Sequence, residues 1–316
     1  MRVSLLSRVI ATLGMTIILL MNSGLPMAAW HVNAANRILS QLMLSRLQDK
    51  AAMSRAEGHF DLAGHIVSTW HSLGAYRLGI AYEQEGLVPQ ALTAYREAAS
   101  PSEMALDTPR LADAYTRMGR LMLASGQPEQ AAEVLRRALE LTAQGRHKPL
   151  RALAATFLAQ AVYQQTGQLD LARPYLEEAV GLYRNAYIVD QYLQLAQRYV
   201  EHGDTNSALQ IAVRAQRLEP ENTWTAHHLG MVYLRRGELA DAEKWFKQAI
   251  SLAPDNEHPH VWLGLAYRQM GRWSDAITEF EIAMRLNPAE TWYRQLWQET
   301  VMSQQSGSQA AGQNLP

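Results

Sequence analysis

Two stretches of this chain carry the same pattern 34 residues apart. Leu229-Gly230-Met231-Val232-Tyr233, followed by Ala242, Phe246, Ala249 and Pro254, returns as Leu263-Gly264-Leu265-Ala266-Tyr267, Ala276, Phe280, Ala283 and Pro288. A period in this range marks a repeat architecture, in which one unit cannot bury its apolar face alone and stacks on its neighbours.

Further copies precede these two. Leu195, Ala196, Tyr199, Gly203, Ala208, Ala215 and Pro220 form one. Tyr163, Gly167, Ala172, Leu176 and Ala179 form another. Met118, Gly119, Met122, Gly126, Ala131, Leu135 and Ala138 make a third, and Leu78, Gly79, Tyr82, Gly86, Ala91, Tyr95 and Ala98 a fourth. An atypical terminal copy fits Ala56, Phe60 and Ala63, with a first helix over 33–48.

Each unit reads as an apolar helical stretch, a break at glycine and a second apolar helical stretch, which is a helix hairpin. Gly79, Gly119, Gly230 and Gly264 fall inside first helices, where glycine costs about 1 kcal/mol relative to alanine. Close helix approach is the expected compensation, with Ala91, Ala131, Ala242 and Ala276 meeting these glycines. Tyr82, Tyr199, Tyr233, Tyr267, Phe246 and Phe280 are then expected to fill the spaces between hairpins. In the hairpin that turns at Gly167, Gln160 occupies the small-residue place unless the register slides to Ala159, which is the preferred alignment.

From about Arg37 to Pro288 these columns resemble the tetratricopeptide repeat family. The resemblance implies an all-α, right-handed superhelical solenoid of about seven helix-turn-helix repeats. Such a fold holds partner proteins on its concave face. The expected organisation is an N-terminal segment 1–30, a solenoid over 31–302 and a disordered tail over 303–316. The solenoid closes with a capping helix from Glu290 to Met302 that turns Trp292, Leu296 and Val301 inward. Connections at 100–109 and 142–149 are longer than the rest.

The N-terminal segment places Arg2 and Arg8 before an apolar run from Val9 to Met21. That run spans about 20 Å as a helix, which suits a secretory signal, whereas extension to Trp30 gives about 33 Å, enough to cross a bilayer. Both readings put the remainder of the chain outside the cytoplasm. The first predicts secretion after cleavage and the second predicts a membrane anchor with an extracytoplasmic or periplasmic repeat domain.

Composition narrows the functional classes. The 29 basic and 30 acidic residues give a net charge of -1, so no global attraction to nucleic acid is expected. Cysteine is absent, which removes disulfides, thiol nucleophiles and cysteine-ligated metals. No phosphate loop, nucleophile elbow or zinc-helix motif occurs. Glu97, Glu133, Glu177 and Glu178 read as solvated helix faces. The expected protein is not an enzyme and uses no cofactor, metal or small-molecule substrate.

By the resemblance, first-helix faces line the groove. Candidate partner-binding residues are therefore Tyr76, Arg120, Phe157, Trp224, His227, Met231, His258 and Val261, with Ile80, Glu83, Asp113, Thr116, Gln164, Leu193 and Gln197 beside them. His227 and His258 are expected to approach each other. Chaperone-binding members of the family hold terminal carboxylates in a Lys, Asn and Arg clamp, and the matching faces here lack the paired Lys and Asn. The expected role is a tethered protein-interaction scaffold resembling accessory proteins of bacterial envelope assembly. The alternative is a structural subunit of a membrane complex.

Overall fold

The chain is described by a computed structural model covering residues 31, 33–38, 54–59, 62, 68–100, 106–145 and 147–313. It divides into two compact units, one ending at Tyr183 and one running from Arg184 to Pro316. The expected anchor, Met1 to Trp30, lies outside the described residues. Among those described, no helix is long and apolar enough to cross a membrane.

The first unit contains α1 (Ser68–Gln84), α2 (Val88–Ala98), α3 (Thr108–Ala124), α4 (Pro128–Leu141), α5 (Lys148–Thr166) and α6 (Leu169–Leu182). The second contains α7 (Ala186–Glu201), α8 (Thr205–Leu218), α9 (Thr223–Arg236), α10 (Leu239–Leu252), α11 (Glu257–Gln269), α12 (Trp273–Leu286) and α13 (Thr291–Gln313). Within each unit, consecutive helices pack as antiparallel hairpins and each hairpin packs on the next. The fold is all-α, as the repeat pattern requires. Six hairpins are described in full. The atypical terminal copy falls largely outside the described residues, although Ala35 and Ala56 are fully buried against the first unit's core.

The hairpin turns follow from the glycines. Gly86, Gly126, Gly167, Gly203, Gly237 and Gly271 all take φ between 68° and 82°, the left-handed region open to glycine at no steric cost. In five turns the residue after glycine donates its N–H back into the first helix, as in Gln127 to Met122 O (2.9 Å) and Glu238 to Tyr233 O (3.0 Å). That is the Schellman pattern. The turn at Gly167 differs: Gly167 N–H reaches Tyr163 O at 2.8 Å, and Gln168 N–H is taken by Thr166 Oγ1 at 3.1 Å. Ala159 is buried there and Gln160 only partly so, which agrees with the shifted register.

Asp107, Asn185, Asp204, Asn222 and Asn256 cap the starts of α3, α7, α8, α9 and α11 with side-chain oxygens that accept backbone N–H groups. Such caps satisfy donors that have no partner inside the helix.

The packing partner of the mid-helix glycines is not the expected alanine. A Cβ on Gly230 would lie 2.7 Å from the Phe246 ring, and one on Gly264 would lie 2.7 Å from that of Phe280. Gly79 and Gly119 face Tyr95 and Leu135 in the same way. Phe246 and Phe280 therefore fill the interior of their own hairpins, where a bulky ring needs a surface without a Cβ. Ala91, Ala131, Ala242 and Ala276 are fully buried beside these contacts.

The C-terminal helix also departs from expectation. It starts at Thr291 and continues past Met302 to Gln313, so residues 303–313 are helical instead of a disordered tail. No proline interrupts this stretch. Gln304 also anchors its start by donating to Ser274 Oγ at 2.9 Å. Its inward face carries Tyr293, Leu296 and Trp297, whereas Trp292 is 40% exposed. The expected orientation of Trp292 is one residue off, a rotation of about 100°.

Candidate protein-binding site

In the first unit the expected groove residues are tied to one another. Tyr76 on α1 donates to Asp113 Oδ2 on α3 at 2.6 Å, and Arg117 donates to the same oxygen at 2.6 Å. Glu83 accepts from Tyr95 at 2.6 Å and from Arg117 at 3.1 Å, and is also paired with Arg120. Burial is the main cause of the raised phenol pKa of both tyrosines, and at Tyr76 the Asp113 carboxylate adds to it. Tyr76, Glu83, Asp113 and Arg120 thus join consecutive hairpins, and the network extends to Arg117, which the repeat pattern does not single out. Phe157 is a core residue.

Glu83 has only 9% side-chain exposure. Glu83→Gln strips the acceptor charge from two guanidinium partners and is expected to cost about 1–3 kcal/mol of stability. Urea denaturation would show this as a lowered midpoint. An unchanged midpoint would mean the network adds nothing to folding.

Glu178 likewise has a defined role beyond a solvated face. Arg151 donates through Nε to Glu178 at 2.6 Å and through Nη1 to Leu139 O at 2.7 Å. It thereby satisfies a carbonyl in the last turn of α4 and links it to α6, the kind of contact that suits a cation near a helix C-terminus.

The second unit holds an aromatic cluster. His227 lies among Trp224 (ring centroids 5.6 Å), His228 (5.6 Å), Phe246 (6.0 Å) and Trp262 (6.3 Å). The residue is 4% exposed, and Nδ1 has no hydrogen-bond partner among the described residues. Burial first, then the neighbouring His228 and His258, push its pKa down to about 3. Burial also pushes His228 down to about 4, against the opposing pull of Asp190. His227 is therefore neutral at physiological pH.

His227 and His258 approach each other closely enough to interact electrostatically. Trp224 makes ring contact with both, at 5.6 Å to His227 and 5.8 Å to His258. Among the described residues, no group of three or more His, Cys, Asp or Glu could hold a metal ion. His227, Met231 and Val261 are buried, because these positions face α10 and the neighbouring hairpin; they support the site from below. Trp224 and His258 remain accessible, with exposures of 46% overall and 47% for the side chain.

Trp292, not anticipated as a surface residue, belongs with them. Trp224, His258 and Trp292 are each the second residue of their helices α9, α11 and α13, and their numbers increase by 34. The repeat period was sufficient to find this row. The inward assignment of Trp292 concealed it.

These hairpins define a helical repeat protein whose accessible first-helix edge presents side chains at a constant register. The family comparisons agree with that class. Residues 71–144 and 116–187 match family models described as "Tetratricopeptide repeat", and residues 230–271 match one described as "TPR repeat". The chain belongs to the tetratricopeptide repeat family, whose members are generally protein–protein interaction scaffolds.

Among solved structures, the C-terminal part of a TPR repeat-containing protein from Cytophaga hutchinsonii is similar, with 13% identity and a TM-score of 0.59. The match covers 82% of this chain and 98% of that one. YrrB, described as a TPR protein with an unusual peptide-binding site, is 20% identical with a TM-score of 0.44, covering 58% and 90%. PilF of Pseudomonas aeruginosa is 22% identical with a TM-score of 0.47, covering 66% and 92%. No curated protein matches the chain.

Proposed function

We propose that this protein is a non-enzymatic scaffold, exported and tethered by its N-terminal segment, that binds protein partners along the first-helix faces of its hairpins. Envelope assembly is the setting that the apolar N-terminal segment and the repeat body together suggest. The observation that carries the partner-binding reading is the exposed row of Trp224, His258 and Trp292. Large aromatic side chains repeated at one accessible edge are the kind of residue enriched at interaction hot spots, and the core has no use for them there.

Tethering raises the effective concentration of partners in the same membrane. Crosslinking in native membranes, followed by purification in mild detergent, is expected to yield a defined partner at fixed stoichiometry. Recovery of the chain alone after crosslinking would defeat the scaffold reading. Release by carbonate washing, with a mature N-terminus near Trp30, would defeat the tether and leave the scaffold untouched.

A further inference from the structure

The row of Trp224, His258 and Trp292 is bordered by exposed carboxylates. The connections leading into α9, α11 and α13 carry Glu221, Asp255 and Glu290, all exposed, whose side chains make no hydrogen bond or ion pair among the described residues. Glu219 and Glu257 stand beside them, occupied by Asn222 at 2.7 Å and Asn287 at 3.0 Å respectively. No lysine or arginine occurs from Leu218 to Leu234, from Gln248 to Tyr267, or from Leu286 to Tyr293. The nearest basic residues in sequence are Arg217, Arg235, Lys247, Arg268, Arg285 and Arg294. Of these, Lys247 is held by Glu243 and Arg268 by Glu299.

We infer that this edge binds a basic, extended segment of a partner protein, with arginine or lysine side chains over the indoles of Trp224 and Trp292 and paired with Glu221, Asp255 and Glu290. The chemistry is specific in two ways. An indole face attracts a cation through its quadrupole, and does so best among the aromatic side chains. Unpaired carboxylates at the same edge add a field that an acidic segment cannot approach and a basic one is drawn toward.

The geometry supplies a repeat of both features. Each helix start offers one ring, and each preceding connection offers one free carboxylate. Trp224 is also held in place, edge-on to His227 and tilted against His258, so its indole is ordered before a partner arrives. An extended segment running from hairpin to hairpin meets an aromatic ring and a carboxylate at each step, an indole at the first and third and the His258 imidazole at the second. This assignment rests on the scaffold reading and narrows it to one surface and one partner chemistry.

The test uses the full-length protein in detergent and three nine-residue peptides, alternating Gly with Arg, with Glu or with Ser. Calorimetry and indole fluorescence are read at low and physiological salt. The Arg peptide is expected to bind and to change indole emission, with affinity falling as salt rises. The Glu and Ser peptides are expected not to bind.

Trp224→Ala and Trp292→Ala remove surface rings and are each expected to weaken Arg-peptide binding about tenfold. The triple change Glu221→Gln, Asp255→Asn and Glu290→Gln is expected to weaken it and flatten its salt dependence. Circular dichroism melting confirms that each variant is folded.

Failure of the Arg peptide to bind, equal binding by the variants, or tighter binding of the Glu peptide would overturn the assignment. None of those outcomes touches the scaffold reading, which stands or falls on the crosslinked complex. A crosslinked partner retained in full by the Trp224→Ala, Trp292→Ala double variant would locate the interface elsewhere and likewise reject this edge.

Discussion

Phe246→Ala is expected to lower the stability of the second unit by about 3–5 kcal/mol, the range for deleting a fully buried aromatic ring. Phe246 has no exposed surface and lies against Gly230, where a Cβ would come within 2.7 Å of its ring. The same contact makes a sharper prediction about the glycine. In the native background, Gly230→Ala gains about 1 kcal/mol of helix propensity and suffers about 1–3 kcal/mol of overpacking against Phe246, so it is neutral to destabilising.

With Phe246 already replaced by alanine, the overpacking vanishes and Gly230→Ala becomes stabilising by up to about 1 kcal/mol. Denaturant unfolding of the four proteins in the cycle measures this directly. Additive effects, with no change in the consequence of Gly230→Ala, would show that ring and glycine are not coupled.

Mild acid is expected to destabilise the second unit through His227 and His228. Their folded pKa values, about 3 and about 4, lie below the ordinary 6.5. Above pH 6.5 both the folded and unfolded chains hold these rings neutral, and the pair leaves stability unchanged. As pH falls below 6.5 the unfolded chain takes up protons that the folded chain refuses, so stability declines until the folded values are reached.

The slope is at most about 1.4 kcal/mol per pH unit for each ring. Between pH 7 and pH 5 the expected loss is therefore up to about 2 kcal/mol per histidine. His227→Phe keeps an aromatic ring in the cluster while removing one titrating group. Urea midpoints should then fall less between pH 7 and pH 5 than in the native chain. An identical pH dependence in the variant would remove His227 as a source of acid sensitivity.

Much of the fold was legible because its instructions are local. The glycines at 86, 126, 167, 203, 237 and 271 mark the turns, and each adopts the left-handed conformation that makes glycine useful there. Asn222 and Asn256 mark helix starts by capping them. The shift from Gln160 to Ala159 was legible for a similar reason, since a tightly packed helix face accepts the smaller side chain.

The candidate site was less legible. His227, Met231 and Val261 share a helix face with accessible residues, and spacing alone does not tell a ring on the rim from one beneath it. Tyr76, Glu83, Asp113 and Arg120 were expected on the groove-lining faces of first helices. They are joined by hydrogen bonds and ion pairs between α1 and α3, so much of their polar capacity is already used. Arg117, which completes that network, carries no signal in the repeat columns.

The sequence by itself determined the 34-residue period, the hairpin and the glycine turns, because each depends on residue type and spacing along the chain. The tertiary structure decided the partners of those residues: Phe246 rather than Ala242 against Gly230, Tyr293 rather than Trp292 turned inward, and Glu178 bound to Arg151. Such pairings depend on the rotation and crossing of one helix against another. A change of one residue turns a side chain by about 100°, enough to move an indole from the core to the surface where a partner can reach it.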